Sequence, residues 1–269
     1  AISSRKKPAC WYSIFAELYR VMLRKRVIPI VLLDGFSVLK TINFNSRRNL
    51  GSPITVAKTY NTRNVDELVL LDIDATKQKR AIDKFTIAEV AKECFMPLTV
   101  GGGIRTIKDI QGLLAKGADK VAINSYALEK PSFIKEASNI FGAQCIVVSI
   151  DVIENGGDLA IYNNGNIVDE LPLFEWLLEA ERLGAGELLI NNVTRDGTMQ
   201  GANIELAKKI SNLVSIPVIF AGGVSSPEDA AKVCESGASG VGVSSIFHFT
   251  DHTPNTCKLA LSKKDLPVR

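Results

Sequence analysis

The chain has 269 residues, 46% hydrophobic and 23% charged, which supplies core enough for one large α/β domain and excludes a disordered chain. A formal net charge of only +3, with basic residues scattered apart from Arg5-Lys6-Lys7 and Arg24-Lys25-Arg26, gives no nucleic-acid footprint. No apolar run reaches the roughly 18–20 residues that span a bilayer, and Cys10, Cys94, Cys145, Cys234 and Cys257 form no C-x-x-C pair. Widely spaced, unpatterned cysteines of this kind fit reduced thiols in a cytoplasmic protein.

Residues 1–21 carry Trp11, Phe15 and Leu18 at helix-like spacing but no long apolar stretch and no small-residue cleavage site. They read as an N-terminal extension, leaving 22–269 as one domain. Along that domain short β-rich runs alternate with helix-period stretches, the pattern of βαβ units around a parallel sheet. Strands are expected at Val27–Leu33, Leu68–Ile73, Leu98–Gly101, Lys120–Ile123, Cys145–Ile150, Glu187–Asn192, Val218–Ala221 and Gly240–Val243. Helices between them include Pro53–Thr62, Ile107–Lys116, Ser132–Phe141, Leu173–Leu183 and Pro227–Glu235; Thr106 and Ser226 can cap N-termini, and Gly117, Gly184 and Gly237 follow C-termini. Eight such units in about 250 residues predict a closed (β/α)₈ barrel. No Gly-x-Gly-x-x-Gly follows the first strand, which argues against a dinucleotide fold.

The strongest organisational signal is an internal repeat. Pro97-Leu98-Thr99-Val100-Gly101-Gly102-Gly103-Ile104 returns 120 residues later as Pro217-Val218-Ile219-Phe220-Ala221-Gly222-Gly223-Val224. At the same offset Gly117-Ala118 becomes Gly237-Ala238, Asn124-Ser125 becomes Ser244-Ser245, and Glu67-Leu68 becomes Glu187-Leu188. A half-barrel of four βα units, doubled and fused, explains this better than a solenoid. Barrel sites lie at the C-terminal ends of the strands. There Gly102, Gly103, Asn124 and Ser125 in one half, and Gly222, Gly223, Ser244 and Ser245 in the other, offer backbone N–H groups and small polar side chains suited to a phosphate. Two such sites across one mouth point to a substrate phosphorylated at both ends.

Asp66-Glu67-Leu68-Val69-Leu70-Leu71-Asp72, Thr99-Val100-Gly101-Gly102-Gly103-Ile104, Gly117-Ala118-Asp119-Lys120-Val121, Thr194-Arg195-Asp196-Gly197-Thr198 and Phe247-His248-Phe249 resemble the cyclase subunit family of imidazole glycerol phosphate synthase. The resemblance runs from Met22 to about Phe249. The glycine motifs are shared with the related phosphoribosyl-formimino isomerase, whereas Phe247-His248-Phe249 and the Asn43-Phe44 loop favour the cyclase.

The resemblance implies a cyclo-ligase and lyase reaction, without a cofactor, on a bisphosphorylated ribulosyl-formimino carboxamide, with ammonia supplied by a class I glutaminase partner. It implies acid–base aspartates at the ends of strands 1 and 5. Asp151 fits the second, but Leu32 stands at the first, with Asp34 two residues on as a possible substitute. Lys40 matches the family's lysine in the first loop, and Asp196 is a candidate substrate contact. His248, flanked by phenylalanines, reads as a packed histidine, and no metal-ligand cluster stands out. Arg26, Glu67, Lys120 and Glu187 fall at strand starts, hence on the opposite rim, and match the family's charged ring that gates ammonia; Asp119 matches its glutaminase-docking face. Arg26-Val27-Ile28-Pro29, Leu32-Leu33 and Glu93-Cys94-Phe95-Met96-Pro97 look more like paralogues in acetamidino-sugar formation for surface polysaccharides, where the barrel would pass ammonia to a separate amidotransferase.

Overall fold

The computed structural model describes residues 24–269, so the extension expected at 1–21 lies outside the described residues. Eight strands, β1 (Arg26–Leu33), β2 (Leu68–Asp72), β3 (Leu98–Gly101), β4 (Lys120–Ile123), β5 (Ile146–Asn155), β6 (Glu187–Asn192), β7 (Val218–Ala221) and β8 (Gly240–Val243), pair in parallel in chain order. β8 pairs back onto β1 from Arg26↔Gly240 to Pro29↔Val243, which closes the sheet into the expected (β/α)₈ barrel. The helices are α1 (Pro53–Thr62), α2 (Lys84–Glu93), α3 (Ile107–Leu114), α4 (Ser125–Glu129), α5 (Ser132–Phe141), α6 (Leu173–Arg182), α7 (Ile204–Leu213), α8 (Pro227–Glu235), α9 (Ser245–Phe249) and α10 (Pro254–Ser262).

Alternation of side chains along each strand divides the apolar residues into two cores. Val27, Val31 and Leu33 of β1 face outward and belong to the same outer core as Ile110, Trp176 and Leu206 of the helices. Ile28, Ile30 and Leu32 face inward, where they meet Val69, Ala122, Val147, Leu189 and Ile219 from the other strands. The expected caps form: Thr106 and Asp109 make a reciprocal capping box, and the Ser226 hydroxyl accepts the Asp229 N–H at 3.1 Å.

Two hairpins depart from the sequence reading. The first loop folds into antiparallel strands Val38–Ile42 and Ser46–Gly51, continuous with β1 through Leu32↔Leu39 and Leu33↔Val38. Asn43 and Phe44 turn it with positive φ (49° and 61°), and the Asn45 N–H donates to the Ile42 carbonyl, as a primed hairpin turn requires. The strand expected to run Cys145–Ile150 instead starts after a 3₁₀ turn that contains Cys145 and continues to Asn155. There Gly156 and Gly157 reverse it into Asp158–Asn163 and then Asn166–Val168. The Gly-Gly pair was the available signal for that turn. Helices expected to end at Lys116 and Leu183 end at Leu114 and Arg182, and the second strand ends at Asp72 rather than Ile73.

Candidate functional site at the barrel mouth

Because every barrel strand points the same way, the segments after β3, β4, β7 and β8 gather at one mouth, and so do both halves of the repeat. A cavity there is lined by Ile30, Leu32, Lys40, Asn191, Asp196, Met199, the Gly222–Val224 loop, Ser244 and Ser245. The hairpin after β1 crosses this mouth to the β5–β6 side. Its Thr41 hydroxyl donates to Asp196 Oδ2 (2.9 Å), the Asn43 backbone N–H donates to the Asp196 carbonyl (2.9 Å), and Asn43 Nδ2 donates to the Thr194 carbonyl (2.5 Å). Lys40 is thereby carried inward, 4% exposed, with Nζ 3.4 Å from Asp196 Oδ1. Arg47 fixes the hairpin's other strand through a bidentate pair with Asp74 (2.5 and 2.6 Å).

Leu32 points into the barrel and lines the cavity floor. Asp34 does not point the same way. The chain leaves the strand at Leu33, so alternation no longer governs residue 34. Its carboxylate accepts the Ser37 N–H (2.9 Å), and it borders a separate groove with Phe36 and Arg80. Asp34 thus lies outside the cavity that Leu32 lines, which counts against it as the substitute for the acid expected at residue 32.

The glycine pairs have a nearer reason than ligand approach. Gly102 (φ 127°) and Gly103 (φ 64°) occupy left-handed backbone, and a Cβ on Gly102 would lie 2.6 Å from the Asp72 carbonyl oxygen. On Gly103 it would collide with the Arg80 carbonyl. Gly222 and Gly223 repeat the arrangement against the Asn192 and Gly201 carbonyls, both at 2.5 Å. Each pair thus lets one strand-end loop lie on the loop of the preceding unit. The two halves also differ. Gly222, Gly223, Ser244 and Ser245 line the cavity, whereas the first-half polar groups, four strands away, are bonded within the protein. Asn124 Nδ2 donates to Asp151 Oδ2 at 2.8 Å; the Ser125 hydroxyl donates to Asn163 Oδ1 at 2.7 Å and accepts from Asn164 Nδ2 at 3.2 Å.

Asp151 sits on β5 with Asn191 Nδ2 3.5 Å from its other oxygen. Burial pushes its carboxyl up to about 7, with the amides of Asn124 and Asn191 pulling the other way and Asp196 adding a like charge. Such a group exchanges its proton near neutrality, as an acid–base catalyst must. His248 lies 3.3 Å from the Tyr60 hydroxyl, and burial, helped by Lys40 and Arg63, pushes it down to about 4, so it packs as a neutral ring.

Sequence reasoning missed a cluster beside Asp151. Glu154 Oε1 accepts from Asn192 Nδ2 (2.8 Å), Asn203 Nδ2 (2.8 Å) and Arg195 Nε (3.1 Å), and the Glu154 N–H donates to the Thr194 hydroxyl (2.8 Å). Only the unexpected extension of β5 brings Glu154 there. The nearest sequence signal was the turn after β6, Thr194-Arg195-Asp196-Gly197.

The opposite end of the barrel carries the four charged residues as a closed ring. Arg26 Nη1 meets Glu67 Oε2 at 2.7 Å and its Nη2 meets Glu187; Lys120 Nζ meets Glu67 Oε1 at 3.0 Å and Glu187 Oε2 at 2.7 Å. Thr99 donates to Glu67 Oε1 at 2.7 Å. Burial alone would lower the Arg26 pKa, but Glu187 and Glu67 hold it well above its ordinary value. Burial would likewise raise Glu187, yet Arg26 and Lys120 hold it below the usual carboxylate range. Exposed Asp119, next to Lys120, accepts the Leu98 N–H at 2.8 Å.

The chain matches the family described as histidine biosynthesis protein over residues 26–253. It is 46% identical to a Campylobacter jejuni protein provisionally named imidazole glycerol phosphate synthase subunit hisF2, over 92% of this chain and 99% of that one. It is 44% identical to the imidazole glycerol phosphate synthase subunit HisF of Endomicrobium trichonymphae (92% and 96% covered). With the subunit of the same name from Lactococcus lactis subsp. cremoris the identity is 41% (92% and 97%).

Proposed function

The chain belongs to the histidine biosynthesis protein family, and from that premise we propose that it is the cyclase-type subunit of a glutamine amidotransferase of the imidazole glycerol phosphate synthase kind. In this reading it takes ammonia from a class I glutaminase docked around Asp119 and acts on a phosphorylated substrate at the mouth. The observation that carries the reading is the closed, charge-neutral ring of Arg26, Glu67, Lys120 and Glu187 at the end of the barrel opposite the cavity. Between ring and cavity the barrel interior is lined mainly by apolar side chains such as Ile28, Val69, Val147 and Leu189, with Thr99 bonded to Glu67 and with Ser149 between Val147 and Asp151. Neutral ammonia crosses such an interior far more readily than an ammonium ion does. Asp151 then moves protons during ring closure, Lys40 and Asp196 contact substrate, and the groups around Gly222, Gly223, Ser244 and Ser245 hold one phosphate. Gly102 and Gly103 receive a second phosphate together with Asn124 and Ser125, whose side chains release their present bonds.

One observation favours a second reading. Leu32 faces the cavity where the family resemblance puts an acid, and Asp34 is held in a turn outside it. A barrel that lacks one of the two strand-end aspartates suits a paralogue that passes ammonia to a separate amidotransferase in acetamidino-sugar formation. Purified protein with ammonium and the bisphosphorylated histidine-pathway substrate separates the two, read as loss of substrate absorbance. Turnover of roughly 1 s⁻¹ or more supports the cyclase. Turnover lower by about 10²–10⁴, with glutaminase hydrolysis still coupled to the barrel, supports the paralogue. Absence of both activities sinks both readings.

A further inference from the structure

Glu154 belongs to none of the roles above, yet three side-chain donors converge on one of its oxygens. Each comes from a different place. Asn192, fully buried, ends β6; Arg195 lies in the turn after it; Asn203 caps α7, its Oδ1 accepting the Leu206 N–H at 3.0 Å. Burial would raise the Glu154 pKa, but Asn192, Asn203 and Arg195 hold it below the usual carboxylate range, so it is an anion that organises donors.

The contacts continue beyond this cluster. Arg195 Nη1 donates to the Gly201 carbonyl at 3.2 Å, and the Gly201 N–H donates to the Gly223 carbonyl at 2.9 Å. A Cβ on Gly223 would lie 2.5 Å from Gly201 O and 2.8 Å from Arg195 Cβ, so the three segments have no slack. Arg195 also immediately precedes Asp196, the partner of Lys40 and Thr41. We propose that Glu154 is a positioning residue that, through Arg195, fixes both Asp196 and the Gly222-Gly223 loop at the cavity wall. Its charge draws Arg195 Nε toward β5, which leaves Nη1 aimed at Gly201 and so seats Gly223. The functional consequence, tighter anion binding at that loop, rests on the reading given under Proposed function.

Two readouts on the full chain separate the relay from that reading. Hydrogen exchange of the Gly201 amide reports the relay directly. We expect Glu154→Ala to accelerate it at least tenfold and Arg195→Ala to do so to a similar extent, with the double variant no faster than either. Glu154→Gln, which keeps an acceptor for Asn192 and Asn203 but loses the charge, should give a smaller acceleration. Arg195→Ala leaves Glu154 bonded to both asparagines, so it tests the relay even if Glu154→Ala folds poorly. Unchanged Gly201 exchange in Arg195→Ala, or effects that multiply in the double variant, overturns the proposal. Inorganic phosphate titrated by calorimetry gives the second readout, with affinity expected to fall at least tenfold in Glu154→Ala and recover in part in Glu154→Gln. Accelerated exchange in protein that binds no phosphate, even with residue 154 intact, supports the relay and removes the anion-site reading instead.

Discussion

The charged ring gives the sharpest quantitative test. Glu67 accepts from Arg26, Lys120 and Thr99. Side-chain exposures around the ring are only 14% for Arg26, 2% for Glu67, 20% for Lys120 and 6% for Glu187, so water does little to screen the charges. Glu67→Gln keeps the shape and the Thr99 bond but leaves two cations sharing the single charge of Glu187. Removing one partner from a buried ion pair costs about 3–5 kcal/mol; the partial exposure of the cations places this case near the lower figure. At about 2–4 °C per kcal/mol for a chain of this size, Tm should fall by about 6–12 °C. The double variant Glu67→Gln/Lys120→Met restores the charge balance, with Arg26 on Glu187, and should recover roughly half of the loss by the same reasoning. Thermal denaturation at low and high salt is the assay, and the loss should persist at high salt because the ring is shielded. A drop under about 2 °C, or a double variant less stable than the single, would refute this account of the ring.

The mouth makes three further predictions. Asp151, at about 7 when folded against a model-compound value of 3.8, keeps its proton over a range where the unfolded chain has lost it. Its contribution to stability therefore falls as pH rises from about 4 to 7, and Asp151→Asn should remove that slope. The variant should be more stable at pH 8 by up to about 4 kcal/mol, less where the open mouth hydrates the carboxylate, and no more stable at pH 4; an unchanged pH slope in denaturant titrations counts against a buried, raised carboxyl. Leu32→Asp should raise ammonium-dependent cyclisation from a handicap of about 10²–10⁴, and turnover already normal without it would contradict the paralogue reading. Gly103→Ala should destabilise by at least about 3 kcal/mol, combining left-handed backbone with a carbonyl collision; a near-neutral variant would mean that the β2 and β3 loops part easily.

Much of the barrel was legible because its determinants are local. The eight apolar runs, the Thr106 and Ser226 caps and the doubled glycine motif each carry their instruction within a few residues. The ring was legible too, since Arg26, Glu67, Lys120 and Glu187 fall at strand starts, and closure of the barrel converts that register into contact. What depends on chain reversal was not. Whether Asp34 follows Leu32 inward hinges on where the strand gives way to the Asp34–Ser37 turn, and Glu154 reaches Arg195 only because β5 runs past the barrel rim before Gly156 and Gly157 turn it back. The glycines were placed correctly, but their reason lies in neighbouring carbonyls distant in sequence.

The two ends of the barrel therefore constrain function unequally. The ring must be whole to be stable: any single missing member strands a buried charge, so stability by itself holds all four members of its matched ion pairs in place. The mouth carries no such requirement. Leu32 packs against Ile30 and Leu39 at no electrostatic cost, and Asp151 remains bonded to Asn124 whether or not a second acid faces it. One acid can thus be lost from the mouth by one apolar substitution while the ring persists unchanged. The paralogue reading proposed above accounts for this combination, a complete ring below and a leucine above in place of one of the two aspartates that the family resemblance implies. Selection for cyclisation would have to explain why an inward-facing leucine occupies the floor beneath Lys40.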